Sequence, residues 1–341
     1  MDHLNEKERL LNMLDRQPVD RVPCACPLQT GTVELMAACG SYWPDANHDP
    51  KKMSVLAKAA HDLAGIESVR VPFDVTVDAS AFGAATGYDA VDRQPAIIDT
   101  VMSEPEMVSD TPIPDPWKDG RAPVLLEAIH ELSRLEDVPV ICGIVAPFML
   151  AAQLRGGQVT LMDLILRPDV VKEALEKAME WDVAFAKAAI DAGADVITLI
   201  DATASGDILS PSQYEEFALP YQKFVLHEID QAGGYGILHI CGDTHQNMPL
   251  MLRSRAKGIS VDQCMDIGWV KEQARGKAAV IGNVNPTSTL LFGRTEDVSN
   301  EAQECLRDGC DVLAPGCGFA PRTPLANMRA MVSVATRHWP I

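Results

Sequence analysis

The sequence predicts an α/β fold, a TIM-type (β/α)8 barrel with an N-terminal helical extension and an insertion after the second strand. Three observations carry this reading. Short apolar, β-rich runs recur eight times, each ending in polar, Gly or Pro residues: Arg21–Cys26, Val69–Phe73, Val138–Val145, Asp195–Asp201, Gly236–Cys241, Ile259–Gln263, Ala278–Val284 and Asp311–Cys317. The runs are mostly continuously apolar rather than alternating, as strands covered on both faces by helices are. Amphipathic helical stretches separate them, and strand, helix, strand repeated this often reads as a closed parallel barrel. An open doubly wound sheet is the competing reading. The 341 residues fit one such barrel with additions, so 1–341 is expected to be a single domain.

Taken in order, a charged helix near Glu6–Arg16 precedes the first strand and is expected to close the bottom of the barrel. Helical patterns then cover Pro50–Ala64, Ala122–Leu135, Val170–Ala192, Ser212–Ala232, Val270–Arg275, Thr295–Asp308 and Pro324–Thr336. The gap from Asp74 to Asp137 is too long for a plain βα unit. It predicts an inserted set of short strands and loops, including 86–90.

Composition excludes several classes of function. A formal net charge of -19 repels phosphate backbones and anionic lipid, so neither a nucleic-acid nor a membrane partner is expected. No apolar run approaches the roughly 20 residues of a membrane span, and the charged N-terminus lacks the apolar core of a secretory signal. Nine scattered cysteines, an odd number without framework spacing, suit a reducing cytoplasm.

In such barrels the chemistry lies at the C-terminal ends of the strands. The fifth run ends in His239-Ile240-Cys241-Gly242-Asp243 and the eighth in Pro315-Gly316-Cys317-Gly318. Side chains two apart on a strand point the same way, so His239 and Cys241 can share one ion. Cys317 arrives at the same rim. One imidazole and two thiolates leave a fourth position open, the pattern of a catalytic zinc site. Asp262, ending the sixth run, is the candidate for that position at rest. A His-x-Cys spacing is a weak motif, however, and a buried Cys often serves as a small apolar residue. Cys24 and Cys26 form a rival alternate pair without a histidine. The remaining thiols, Cys39, Cys142, Cys264, Cys305 and Cys310, read as packing residues, and His245 as a surface or supporting group. Asp201 and Asp243 are candidate catalytic carboxylates that steer a proton or support His239, with structural hydrogen bonding as the alternative.

These residues also carry a resemblance. Asp20-Arg21-Val22-Pro23, Gln29 to Met36, Trp43 to Ala46, Val69 to Pro72, Asp92 to Pro95 and the two Cys-Gly segments resemble the methylcobalamin:coenzyme M methyltransferases of methanogens, within the uroporphyrinogen decarboxylase superfamily. The resemblance implies a barrel, Zn2+ on His239, Cys241 and Cys317, and an acidic fourth ligand where Asp262 stands in place of a glutamate. It implies a methyl group passed from methylcobalamin, carried by a methylated corrinoid protein at the barrel mouth, to the thiol of coenzyme M in methylotrophic methanogenesis. Another thiol or a pterin is the alternative acceptor. Arg70, Arg155 and Arg322 are candidates for the sulfonate, and Asn283 and Asn285 for the mouth. Met248, Met251 and Met265 read as corrinoid contacts or, preferably, core. The decarboxylase branch fits less well. Its substrate-binding arginines would fall at Leu28 and Thr32, neither of which grips an anion, and Asp74 alone remains of that site.

Overall fold

The computed structural model describes residues 4–337, and residues 1–3 and 338–341 of the expected domain lie outside them. Nine strands form in chain order: β1 (Val69–Val71), β2 (Thr86–Gly87), β3 (Ala96–Ile97), β4 (Val140–Val145), β5 (Val196–Ile200), β6 (Tyr235–Ile240), β7 (Gly258–Val261), β8 (Ala279–Val284) and β9 (Val312–Pro315). Seven make one parallel sheet in the order β1-β4-β5-β6-β7-β8-β9. The inserted β2 and β3 pair antiparallel outside it, as the long second gap required.

The sheet curls into a ring that the segment around Cys24 closes. Cys24 bridges Leu313 in parallel, Leu313 N–H donates to Pro23 O at 2.9 Å, and Glu67 N–H donates to Cys24 O at 2.8 Å. The eighth stave is therefore a bridge and not the full strand predicted over Arg21–Cys26. Pro23 has no N–H to give. The amides of Cys24 and Cys26 go instead to side chains, Glu67 Oε2 at 2.8 Å and Ser68 Oγ at 3.2 Å. Glu67 is buried and also receives Arg9 Nη1 at 2.8 Å and Arg21 Nη1 at 2.7 Å.

The first helix, Glu6–Leu14, starts at an Asn5–Glu8 capping box. Its Leu10, Met13 and Leu14 pack against Ala25, Ile141, Val196, Ile237, Ala279, Ile281, Val312 and Ala314, which come from around the ring. The helix thus plugs the N-terminal end, as expected. The helix predicted over Ser212–Ala232 is two, Pro211–Phe217 and Leu219–Gln231, because Pro220 cannot continue the hydrogen-bond ladder. Two unpredicted helices, Pro147–Arg155 and Gly157–Leu166, follow β4 before the long helix Pro168–Ala192. No helix among the described residues is long and apolar enough to cross a membrane.

Behind β4, Asp78 is fully buried and accepts hydrogen bonds from Trp181 Nε1 at 3.1 Å and Val145 N at 3.3 Å. Burial pushes its carboxyl from the ordinary 3.8 up to about 6. The folded value exceeds the unfolded one, so stability is full below about pH 4 and falls as pH rises through 6, by about 3 kcal/mol. Asp78→Asn should therefore gain stability relative to the parent on going from pH 4.5 to pH 7, by about 2 kcal/mol, the rest having been lost below pH 4.5. Urea melts of both proteins at the two pH values measure it, and an equal difference at both would refute the assignment.

Candidate metal centre

The end of β6 presents His239 and Cys241 on one side of the strand, with His239 Nε2 3.1 Å from Cys241 Sγ. Cys317, just beyond β9, brings its Sγ to 3.8 Å from that of Cys241. Among the described residues these three alone gather imidazole, thiol or carboxylate donors in a group of three or more, all within 4.8 Å of one another. Gly242 takes φ 77°, a left-handed turn straight after Cys241, and a Cβ there would fall 2.7 Å from Asp207 Oδ2.

The imidazole is fully buried, and its Nδ1 lies 3.0 Å from Ser260 Oγ. With Nδ1–H donating to that hydroxyl, the Nε2 lone pair faces the sulfurs. Strand register makes the pair, because His239 and Ser260 are direct neighbours across β6 and β7. Sequence reasoning missed Ser260, since nothing local signals which residue of the next strand lies alongside. The sulfurs differ in character. The hydrogen bond to Cys317 and burial hold the Cys241 thiol far above the ordinary range. Accepting that hydrogen bond pulls Cys317 down.

Both sulfurs and the imidazole face a cavity of about 460 Å³ that Gln29, Arg70 and Met149 also line. Arg70 is buried inside the ring, its Nη1 bonded to Pro72 O. Burial lowers its pKa to about 10, so it remains a cation at neutral pH. Its Nε finds no protein acceptor, and neither does Gln29 Oε1 find a donor. Asp74, the nearby carboxylate, is occupied by Arg121 at 2.8 Å and 3.0 Å and by Thr76. The cavity therefore holds an unpaired guanidinium, which is costly unless an anion joins it.

The structure places the other candidates elsewhere. Asp262 is buried, but its Oδ1 accepts the amide of Cys264 at 3.0 Å, and its carboxylate stands outside the three-donor group. Asp201 is also buried, and burial raises its pKa to about 7. It accepts from Met149 N at 3.0 Å and from Gln222 Nε2 at 2.7 Å, so it braces the cavity wall. Asp243 is exposed and pairs with His245, whose ring packs on Trp269. Arg155 is tied to Asp163 and Met102 O, and Arg322 is exposed and pairs with Asp92. Asn283 donates to Asp262 O and Met265 O, pinning the loop after β7. Asn285 caps the turn at Thr287 and Ser288. Met248, Met251 and Met265 are core residues, and Cys24 and Cys26 are buried outside the cluster.

Residues 5–338 match the model of the uroporphyrinogen decarboxylase (URO-D) family. The chain belongs to that family. Within it, the chain is 38% identical over 343 residues to the methylcobamide:CoM methyltransferase MtbA of Methanosarcina acetivorans, covering 99% of both chains. It is 35% identical to MtaA of Methanosarcina barkeri, over 99% of this chain and 100% of that one. Uroporphyrinogen decarboxylase of Coxiella burnetii is 27% identical, over 96% and 94%. Among solved structures, a methyltransferase from Methanosarcina mazei superposes with a TM-score of 0.94 at 35% identity, covering 98% of this chain and 99% of that one. This member of the URO-D family is a methyltransferase with the family's (β/α)8 barrel.

In this methyltransferase, room for Arg70 is made on the neighbouring strand. A Cβ on Gly143 would fall 1.9 Å from Arg70 Nη2. Gly143→Ala should displace the guanidinium and destabilise the fold by about 1–3 kcal/mol, read as a lower urea midpoint. An unchanged midpoint would show that Arg70 moves freely.

Proposed function

We propose that the protein is a zinc-dependent methylcobamide:coenzyme M methyltransferase of methylotrophic methanogenesis, acting in the cytoplasm. It takes the methyl group from methylcobalamin on a methylated corrinoid protein and passes it to the thiol of coenzyme M. The observation that carries this reading is the meeting of one imidazole and two thiols on the wall of a cavity that also holds an unpaired cation. The reaction named for the relatives at 38% and 35% identity supports it.

The donor set suits zinc: three N and S ligands, a histidine with its far nitrogen anchored, and space left for a fourth group. Bound there, zinc supplies a positive charge that favours the thiolate form of an incoming thiol. The chain does the rest. Ser260 fixes the imidazole tautomer. Arg70 and Gln29 Oε1 offer the substrate a cation and an acceptor. A mercaptoethanesulfonate carries a sulfur at one end and a permanent anion at the other, so it spans the sulfurs and the guanidinium. Asp201, through the Met149 amide, positions the wall opposite. A corrin macrocycle is too large for about 460 Å³ and must cover the mouth from outside on its own protein. The decarboxylase alternative lacks support at Leu28 and Thr32, and its aspartate, Asp74, is already neutralised by Arg121.

Free methylcobalamin mixed with the protein and coenzyme M should lose its methyl group, seen as a change in the visible spectrum. Cys317→Ala, or removal of metal by chelation, should slow this by about 100-fold or more, with zinc restoring only the chelated parent. Undiminished turnover in either case would defeat the proposal. Arg70→Gln should raise KM for coenzyme M by about tenfold or more while kcat for a thiol lacking the sulfonate stays near the parent's. Equal effects on both thiols would remove Arg70 from substrate binding.

A further inference from the structure

A second cavity, about 770 Å³, lies at the opposite end of the barrel from the cysteines. Its walls are helix Leu219–Gln231, the stretch 252–257 leading into β7, the turn 276–277 leading into β8, and Arg16 beyond the plugging helix. Five of its lining residues are basic, Arg16, Lys223, Arg255, Lys257 and Lys277, and one, Asp230, is acidic. The chain as a whole has 29 basic and 48 acidic residues, so this groove runs against the sign of the molecule.

Most of that charge is uncompensated. Lys257 is satisfied by Asp15 at 2.9 Å and Asp230 at 3.6 Å. Arg16 is anchored through Nη1 to the Lys277 carbonyl at 2.8 Å, a contact that leaves its charge in place. Among the described residues, Lys223, Arg255 and Lys277 have no carboxylate within ion-pair reach. Arg16 and Arg255 also hold left-handed backbone, φ 58° and 67°. L-residues adopt this conformation at a cost, and it recurs at ligand clamps. Phe224, 47% exposed, stands beside Lys223 on the same helix and lines the same groove.

We infer that this groove binds a nucleoside polyphosphate, with the phosphates on Arg255, Lys277 and Lys223 and the base against Phe224. Guanidinium and ammonium groups without counter-ions are what a phosphate chain needs, and an Arg fork matches two phosphate oxygens at once. An exposed aromatic beside them offers a base a stacking surface. The volume lies within the range of small-ligand sites, about 300–1,000 Å³. A ligand here would lie against Arg16, so it would also tether the plugging helix without obstructing the mouth.

Isothermal titration calorimetry with ATP and with inorganic tripolyphosphate, at low and high salt, tests this. ATP should bind saturably, one per chain, raise the melting temperature, and weaken about tenfold or more in high salt. Arg255→Glu combined with Lys277→Glu should weaken it about tenfold or more, and the exposed Lys223→Glu gives the same reading should the double variant fail to fold. Phe224→Ala should weaken ATP and leave tripolyphosphate unchanged. Methyl transfer by each variant should equal the parent's. Absence of saturable heat with ATP at low salt, or parental affinity in the charge-reversed variants, overturns the site. Equal affinity for tripolyphosphate and ATP overturns the nucleoside assignment, and tighter binding of an acidic polypeptide than of ATP overturns the small-ligand reading.

Discussion

Two cysteine sulfurs 3.8 Å apart in a buried wall cannot both be thiolates unless a cation stands with them. The rest of the structure serves that juxtaposition. Cys241 and Cys317 belong to β6 and to the end of β9, which lie three places apart in the order β6-β7-β8-β9. In a flat sheet, strands spaced by about 4.8 Å would hold them roughly 14 Å apart. Only curvature of the sheet into a ring turns both side chains to one interior point. Closure of the ring at Cys24 is therefore as much a condition of the site as the three donors themselves.

Much of this was legible in the sequence because it depends on local pattern. Continuously apolar runs marked the buried strands, and two-residue spacing put His239 and Cys241 on one side. The break at Pro220 was not read: the apolar pattern of 212–232 ran on through it, although the proline itself marks the point where the ladder stops. What could not be read depends on register. Ser260 reaches His239 because the two lie side by side, and Gly143 yields room to Arg70 because it stands two residues beyond that arginine's register partner, Ile141. The stave at 21–26 looked like a strand from its composition. Its amides are instead taken by Glu67 and Ser68, residues with no sequence proximity to it.

Charge shows the same division between local and distant causes. Sequence offered Arg70, Arg155 and Arg322 as equals. The fold separates them by their partners: Asp163 lies along the chain from Arg155, and Asp92 is far from Arg322 in sequence. Arg70 is left with a carbonyl and no carboxylate, because Asp74 is engaged by Arg121. Asp262, with a short side chain at a strand end, folds back onto the amide two residues on, a habit of aspartate at turns.

The seam of the ring has a consequence for biosynthesis. The Glu67 side of the seam can assemble early, since Arg9, Arg21, Cys24 and Glu67 all leave the ribosome within the first part of translation. The other side waits for Leu313, close to the end of the chain. Cys317 emerges only a few residues later, so the last stave and the last sulfur arrive together. A nascent chain that has not yet reached Cys317 therefore presents His239 and Cys241 without their third partner, and the donor group and the closed ring become possible at the same stage of synthesis.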